Sequence, residues 1–297
     1  MILSLLFFTF SFIFYVVAAL LYTGHLVFKK RWLGQSATAI SYIALASTTL
    51  ILIFRAIESK HAPFANLFES MTLFVWATNI GYLVLEYKHK QRVIGVFVMF
   101  IESLAMLAAA LLPYKFKSAE PLNPALQSKW HWMQDLLAHT GDGMEQYAIG
   151  WLDFHVFSTF IGYGAFAISF GIGIMYLLKM RSEERERRNA IVDMFPDSNM
   201  LDELGYRAIA WGFPFLTIGI ISGAVWADYA WGTYWSWDPK ETWSLITWLI
   251  YAAYLHARVT RGWRGKRAAW LSIAGFLAII FLYWGVSFIL PGLHAYA

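Results

Sequence analysis

Apolar runs long enough to cross a lipid bilayer recur along this chain from Ile2 to Leu290, each closed by a short polar segment. A spanning helix needs roughly 20 mostly apolar residues, because the hydrocarbon core is about 30 Å thick and a helix rises about 1.5 Å per residue. Within lipid only helices and closed barrels satisfy their own backbone polar groups, so uninterrupted runs of this length read as helices. The chain is 59% hydrophobic and 14% charged, against about 25% charged in soluble domains. The expected fold is an all-α polytopic membrane protein, a single integral membrane domain over residues 1–297. About eight spans are expected, near 2–22, 38–54, 67–87, 93–112, 152–178, 209–225, 243–255 and 268–290.

The connections between these runs set the topology. Lys29, Lys30 and Arg31 follow the first run, and Lys88, Lys90 and Arg92 follow the third. A charged stretch at 181–188 follows the fifth, and Arg258, Arg261, Arg264, Lys266 and Arg267 follow the seventh. Basic loops stay in the cytoplasm, and eight spans with both termini extracytoplasmic satisfy all of them together. Residues 179–208 are then a cytoplasmic connector. Residues 113–151 are an extracytoplasmic loop with a short interfacial helix near 133–137. The net charge of +4 is small and divided among these loops, a pattern of membrane topology and not of nucleic-acid binding. The apolar N-terminus lacks a basic leader and a clear cleavage site, so it reads as a retained helix. The sequence holds no cysteine, which excludes disulfides and thiolate chemistry; a metal or haem iron must be held mainly by histidine. No Gly-rich phosphate loop indicates an ATPase.

One stretch does not fit a spanning helix. Residues 226–243 contain Trp226, Trp231, Trp235, Trp237 and Trp243 with Asp228 and Asp238, and lie in the outer loop between helices six and seven. Trp and Tyr have an apolar body and one polar handle, which suits them to the membrane surface and to a flat apolar ligand. Gly232 and Asp238-Pro239 interrupt the helix; Asp238 is expected to cap the next helix, with Pro239 and Glu241 in its first turn. His155 and His294 are remote in sequence but fall on the same side of the membrane as this run. Such a pair can ligate a haem iron from two sides while aromatic rings cover the porphyrin. The same two residues also suit an interfacial role with solvent or phosphate groups, and spacing alone leaves both readings open. His256 ends the seventh span, either as a functional intramembrane group or as a helix C-cap. His61, His131 and His139 read as surface residues. Haem carboxylates would need a cation, with Arg55 the first candidate and Lys60 or Lys240 the others. Glu102 falls mid-membrane, either as a protonated, hydrogen-bonded structural residue or as a proton carrier or cation partner. Glu69, near a span end, is expected to reach a wet interface.

The run Trp231-Gly-Thr-Tyr-Trp-Ser-Trp-Asp-Pro-Lys-Glu-Thr-Trp243 resembles the tryptophan-rich WWD signature of haem-handling cytochrome c assembly proteins. Its continuation to His256, together with Asp153-Phe-His155, Gly292-Leu-His294 and the Arg55 to Ser70 segment, is similar to the CcsA/ResC branch. The CcmC and CcmF groups share the signature and are the alternative, as is a haem-binding transmembrane redox protein. The resemblance implies a subunit of the system II cytochrome c synthase, a haem lyase working with the membrane protein CcsB (ResB). It would bring haem b, as transported substrate, to the outer face and attach it to the Cys-x-x-Cys-His segment of apocytochrome c. It implies His155 and His294 as iron ligands at the outer site, and His256 as an iron ligand at an inner site completed by the partner. It implies Trp226, Asp228, Trp231, Trp235, Trp237, Asp238 and Trp243 around the haem, and an inner bacterial or thylakoid membrane as the location. No CcsB-like portion is recognisable in this chain.

Overall fold

The structure is a computed structural model describing residues 2–64, 66–113, 131–139, 150–185 and 189–290. It is all-helical: α1 (Ile2–Phe28), α2 (Arg31–Ser59), α3 (Leu67–His89), α4 (Ile94–Leu111), α5 (His131–Ala138), α6 (Trp151–Glu184), α7 (Ser198–Trp231), α8 (Pro239–Arg261), α9 (Lys266–Ile280) and α10 (Val286–Ile289). A π-helical turn, Phe281–Gly285, carries α9 into α10. Seven helices are long and apolar enough to cross a membrane, with α9 and α10 counted as one, Lys266–Ile289. The helix expected as the seventh of eight spans, α8, has 23 residues and is not among these seven, because Trp, Thr, Tyr, His and Arg side chains dilute its apolar content. Its standing as a span therefore rests on length and not on hydropathy.

Several helices overrun the apolar windows. α6 and α7 each have 34 residues, about 51 Å at 1.5 Å per residue. Helix therefore fills both flanks of the 179–208 connector, ending at Glu184 and restarting at Ser198. Hydropathy marks only the lipid-facing stretch, whereas good helix formers extend each rod into the polar rim. Glu203 and Arg207, paired at 2.9 Å one turn apart, are one example.

The helices pack as two rings. In the first, α1 and α3 each pack against α2 and α4; in the second, α6 packs against α7 and α9, and α8 packs against α7 and α9. The faces of α3 and α4 against α6 join the two. Antiparallel alternation gathers the Lys29, Lys90 and Gly262–Gly265 turns at one end, the basic end. The turns after α2 and α7 lie at the other, the aromatic end. α6 and α7 approach very closely where a Cβ on Gly162 would stand 3.0 Å from the Gly212 carbonyl oxygen. Small residues are what let membrane helices touch backbone to backbone.

Candidate functional site

At the aromatic end the aromatic run is divided among three elements. Trp226 and Trp231 sit on the last turns of α7, which stops at Gly232 with φ +73°, a conformation only glycine adopts without strain. Residues 233–237 form a loop. Asp238 then caps α8, accepting the Lys240 N–H at 2.9 Å, while Pro239 opens the first turn. Glu241 closes the loop on itself, its carboxylate accepting the Ser236 N–H at 2.7 Å and the Asp238 N–H at 3.2 Å. Between those two amides Trp237 is held at φ +60° and is 68% exposed. A bulky side chain in the left-handed region is strained, and such strain persists only where neighbours enforce it. The Asp228 carboxylate beside Tyr234 pushes that exposed phenol above its usual range.

Beneath this loop is a chamber of about 340 Å³ between α6, α7 and α8. Its apolar wall includes Phe160, Leu216, Trp226, Trp231 and Trp235, and its polar groups include His155, Tyr163, Lys240 and Glu241. This size and this mix, mostly apolar with a few converging polar groups, characterise small-molecule sites. Trp226 and Trp231 meet edge to face at 4.8 Å, which fixes one corner. The π-turn sets Tyr283 on the far wall, where its hydroxyl meets Ser70 Oγ at 2.5 Å and ties α3 to the site; π-turns commonly mark functional positions.

His155 is the chamber's imidazole. Its Nδ1–H donates to the Gly219 carbonyl at 2.5 Å. That bond leaves Nε2 as the basic nitrogen, and a hydrogen bond on the other ring nitrogen is what orients histidines that bind metal. The imidazole lies in a notch on α7, where a Cβ on Gly223 would stand 2.5 Å from Nδ1. A histidine, an aromatic wall and a lysine fit a flat macrocyclic ligand with a central metal and acidic edges.

The cytochrome c assembly protein family matches residues 137–294, the part that builds most of this chamber. The chain is 38% identical to the cytochrome c biogenesis protein CcsA of Guillardia theta, covering 96% of this chain and 94% of the relative. It is 40% identical to CcsA of Prochlorococcus marinus, strain NATL2A, covering 90% and 84%. It belongs to the CcsA family of cytochrome c assembly proteins. Cytochrome c biogenesis is therefore its process. The fold is shared with the solved cytochrome c haem lyase CcmF at a TM-score of 0.63 and 19% identity. That match covers 95% of this chain but only 46% of the longer lyase.

Against this CcsA background, the expected site residues separate clearly. His155, Trp226, Trp231 and Trp235 come together around the chamber, and Lys240 joins them as the cation. His294 lies outside the described residues. Trp243 packs instead on Phe281, ring centres 4.4 Å apart. Asp238 is spent on helix capping, Asp228 on Tyr234, and Trp237 faces outward. His256 is exposed at the basic end of α8, far along the helix from the chamber.

Arg55 is not among the residues that line the chamber. It is fully buried in the first ring and grips Glu69 through Nε at 3.1 Å and Nη2 at 2.8 Å. Glu69 is correspondingly buried and not at a wet interface, because a carboxylate paired with a guanidinium needs no water. His61, expected at the surface, is also buried, its Nδ1–H donating to the Ala62 carbonyl at 2.7 Å. Sequence reasoning missed Gly219 and Gly223. The small-x-x-x-small spacing of these two was the available signal, though it marks helix packing in general and not a ligand notch.

Proposed function

We propose that the chain holds haem b as substrate at the aromatic end and presents it to apocytochrome c. It acts there as the CcsA subunit of a system II synthase with a CcsB (ResB) partner. The observation that carries the reading is the His155 imidazole, whose Nδ1–H is committed to Gly219 and whose ring borders an aromatic chamber. His155 Nε2 and His294 would ligate the iron, Trp226, Trp231 and Trp235 would cover the porphyrin, and Lys240 would meet a propionate. His256 would ligate iron at an inner site that the partner completes. In this reading residues 226–243 are the haem segment, residues 113–151 an outer loop and residues 179–208 a cytoplasmic connector. Both termini are extracytoplasmic, and the membrane is a bacterial inner membrane or a thylakoid.

The attachment itself adds two cysteine S–H groups across two vinyl C=C bonds. Each forms one C–S and one C–H bond, with nothing released and no net oxidation. A chain without cysteine contributes orientation and effective concentration to such a step. Aromatic walls keep water from the reacting edge, and the imidazole sets the height of the macrocycle. The substrate's own histidine would then replace one of the two ligands, His155 or His294, as the haem leaves.

The test is to purify the chain with and without a CcsB partner and to record absorption spectra of wild type and of His155→Ala, His256→Ala and His294→Ala. A Soret band weakened by His155→Ala or His294→Ala, together with lost cytochrome c maturation, supports the outer site. No haem in any preparation refutes the reading.

A further inference from the structure

The chamber draws on little of the α1–α4 ring, yet the interior of that ring carries buried polar clusters among its apolar residues. At the basic end the Glu86 carboxylate accepts from the Tyr22, Tyr82 and Thr38 hydroxyls, each at 2.6 Å, and from Arg92 Nε at 3.2 Å. Further in, one turn along α2 from Thr38 and about two turns along α3 from Glu86, Ser41 donates to Asn79 Oδ1 at 3.1 Å, and Asn79 donates to the Tyr15 hydroxyl at 3.0 Å. Tyr15 meets Thr48 at 3.1 Å, and Thr48 meets Ser11 at 2.6 Å. At the aromatic end stand the Arg55–Glu69 pair and the Ser4 bond to Glu58, the latter at 2.7 Å.

Glu102 lies in the middle of this series. It is one turn along α4 from Met99, whose sulfur accepts from Ser41 Oγ at 3.6 Å. It is 0% exposed, and neither carboxyl oxygen has a hydrogen-bond partner among the described residues. The expectation of a hydrogen-bonded structural glutamate is therefore not met. An ionised carboxylate here has no compensating partner, so the group suits carrying a proton and not a fixed charge. α1 brings Tyr15 within electrostatic reach of it, Tyr22 and Tyr82 meet α4 about two turns away, at Gly95, and α6 meets α4 through Gly171 against Phe97. Polar side chains inside a membrane bundle are costly, and their usual use is as ion or proton routes. Apolar residues would pack four such helices equally well.

We infer that α1–α4 form a proton path in which Glu102 exchanges a proton between the Glu86 cluster at the basic end and the Arg55–Glu69 pair at the aromatic end. The widest step, from Thr48 to Arg55, is seven residues of α2, about 10 Å, so conduction depends on water entering there. The path stands apart from the haem reading and uses none of its residues.

The full chain is reconstituted in liposomes loaded with a pH-sensitive dye, and a potassium diffusion potential is imposed with valinomycin. Wild type is expected to move protons faster than protein-free liposomes, and Glu102→Gln to lower the protein-dependent rate at least tenfold. Glu102→Asp should restore part of it. Tyr15→Phe, which removes only the hydroxyl joining Asn79 to Thr48, should also slow it, and it serves if Glu102→Gln fails to fold. A wild-type rate equal to that of empty liposomes, or unchanged rates in both Glu102→Gln and Tyr15→Phe, overturns the inference. Haem retention by Glu102→Gln should equal wild type, so the two readings fail separately.

Discussion

Gly223→Ala tests the histidine notch most directly. The added methyl would stand 2.5 Å from Nδ1 and 2.6 Å from Cε1 of His155, where ordinary contact begins at 3.4 Å. The ring must therefore retreat by about 0.9 Å, the move from 2.5 Å to 3.4 Å, and doing so stretches its 2.5 Å bond to the Gly219 carbonyl. Losing one such bond costs about 1 kcal/mol of stability. The larger effect falls on the ligand, since disturbing a group that orients a metal-binding histidine costs roughly 10–100-fold in affinity. The assay pairs a spectroscopic haem titration of the purified variant with its thermal unfolding. Haem affinity should fall 10–100-fold with only a small shift in unfolding. Gly219→Ala acts on the helix pair instead: its methyl would lie 2.3 Å from Thr159 Oγ1 and 3.1 Å from the Thr159 backbone nitrogen. The resulting overpacking of α6 on α7 should cost about 1–3 kcal/mol. If Gly223→Ala binds haem as wild type does, the notch does not hold the iron ligand and the reasoning is wrong.

Three further outcomes are expected. Glu241→Ala removes the carboxylate that holds the Ser236 and Asp238 amides. It should destabilise the 233–238 loop by about 1.5–3 kcal/mol, read as faster hydrogen exchange there, and Trp237 should leave φ +60°. Glu69→Gln neutralises the carboxylate that the buried Arg55 grips. It should lower unfolding stability in detergent by about 3–5 kcal/mol, and Arg55→Leu combined with Glu69→Leu should recover much of that loss. Tyr234 should ionise at a higher pH than a free phenol, near 10, because the Asp228 carboxylate disfavours its anion. Asp228→Asn should bring that titration down, as followed by ultraviolet absorbance, and an unchanged midpoint would contradict the contact.

Much of the site was legible because the signals are local. The break at Gly232 and the cap at Asp238 follow from backbone chemistry within a few residues, and both occur as expected. Arg55 is the opposite case. An arginine at a span end looks like a ligand cation until its partner is known, and Glu69, 14 residues away on the next helix, is visible only after packing. Likewise, nothing in the spacing of the tryptophans separates Trp235, which lines the chamber, from Trp237, which faces outward. The difference is a single left-handed backbone angle enforced by Glu241.

Composition and apolar period alone determined that this chain is a bundle of membrane helices, because lipid leaves the backbone no other way to satisfy its hydrogen bonds over such lengths. They also determined where the aromatic run interrupts it. Only the tertiary structure decided which residues meet: His155 with Gly219 across 64 positions, and Ser70 with Tyr283 across 213. The reason is that side-chain partners in a bundle are chosen by helix rotation and close approach. Glycines on α6 and α7 set that approach, and hydropathy does not encode it.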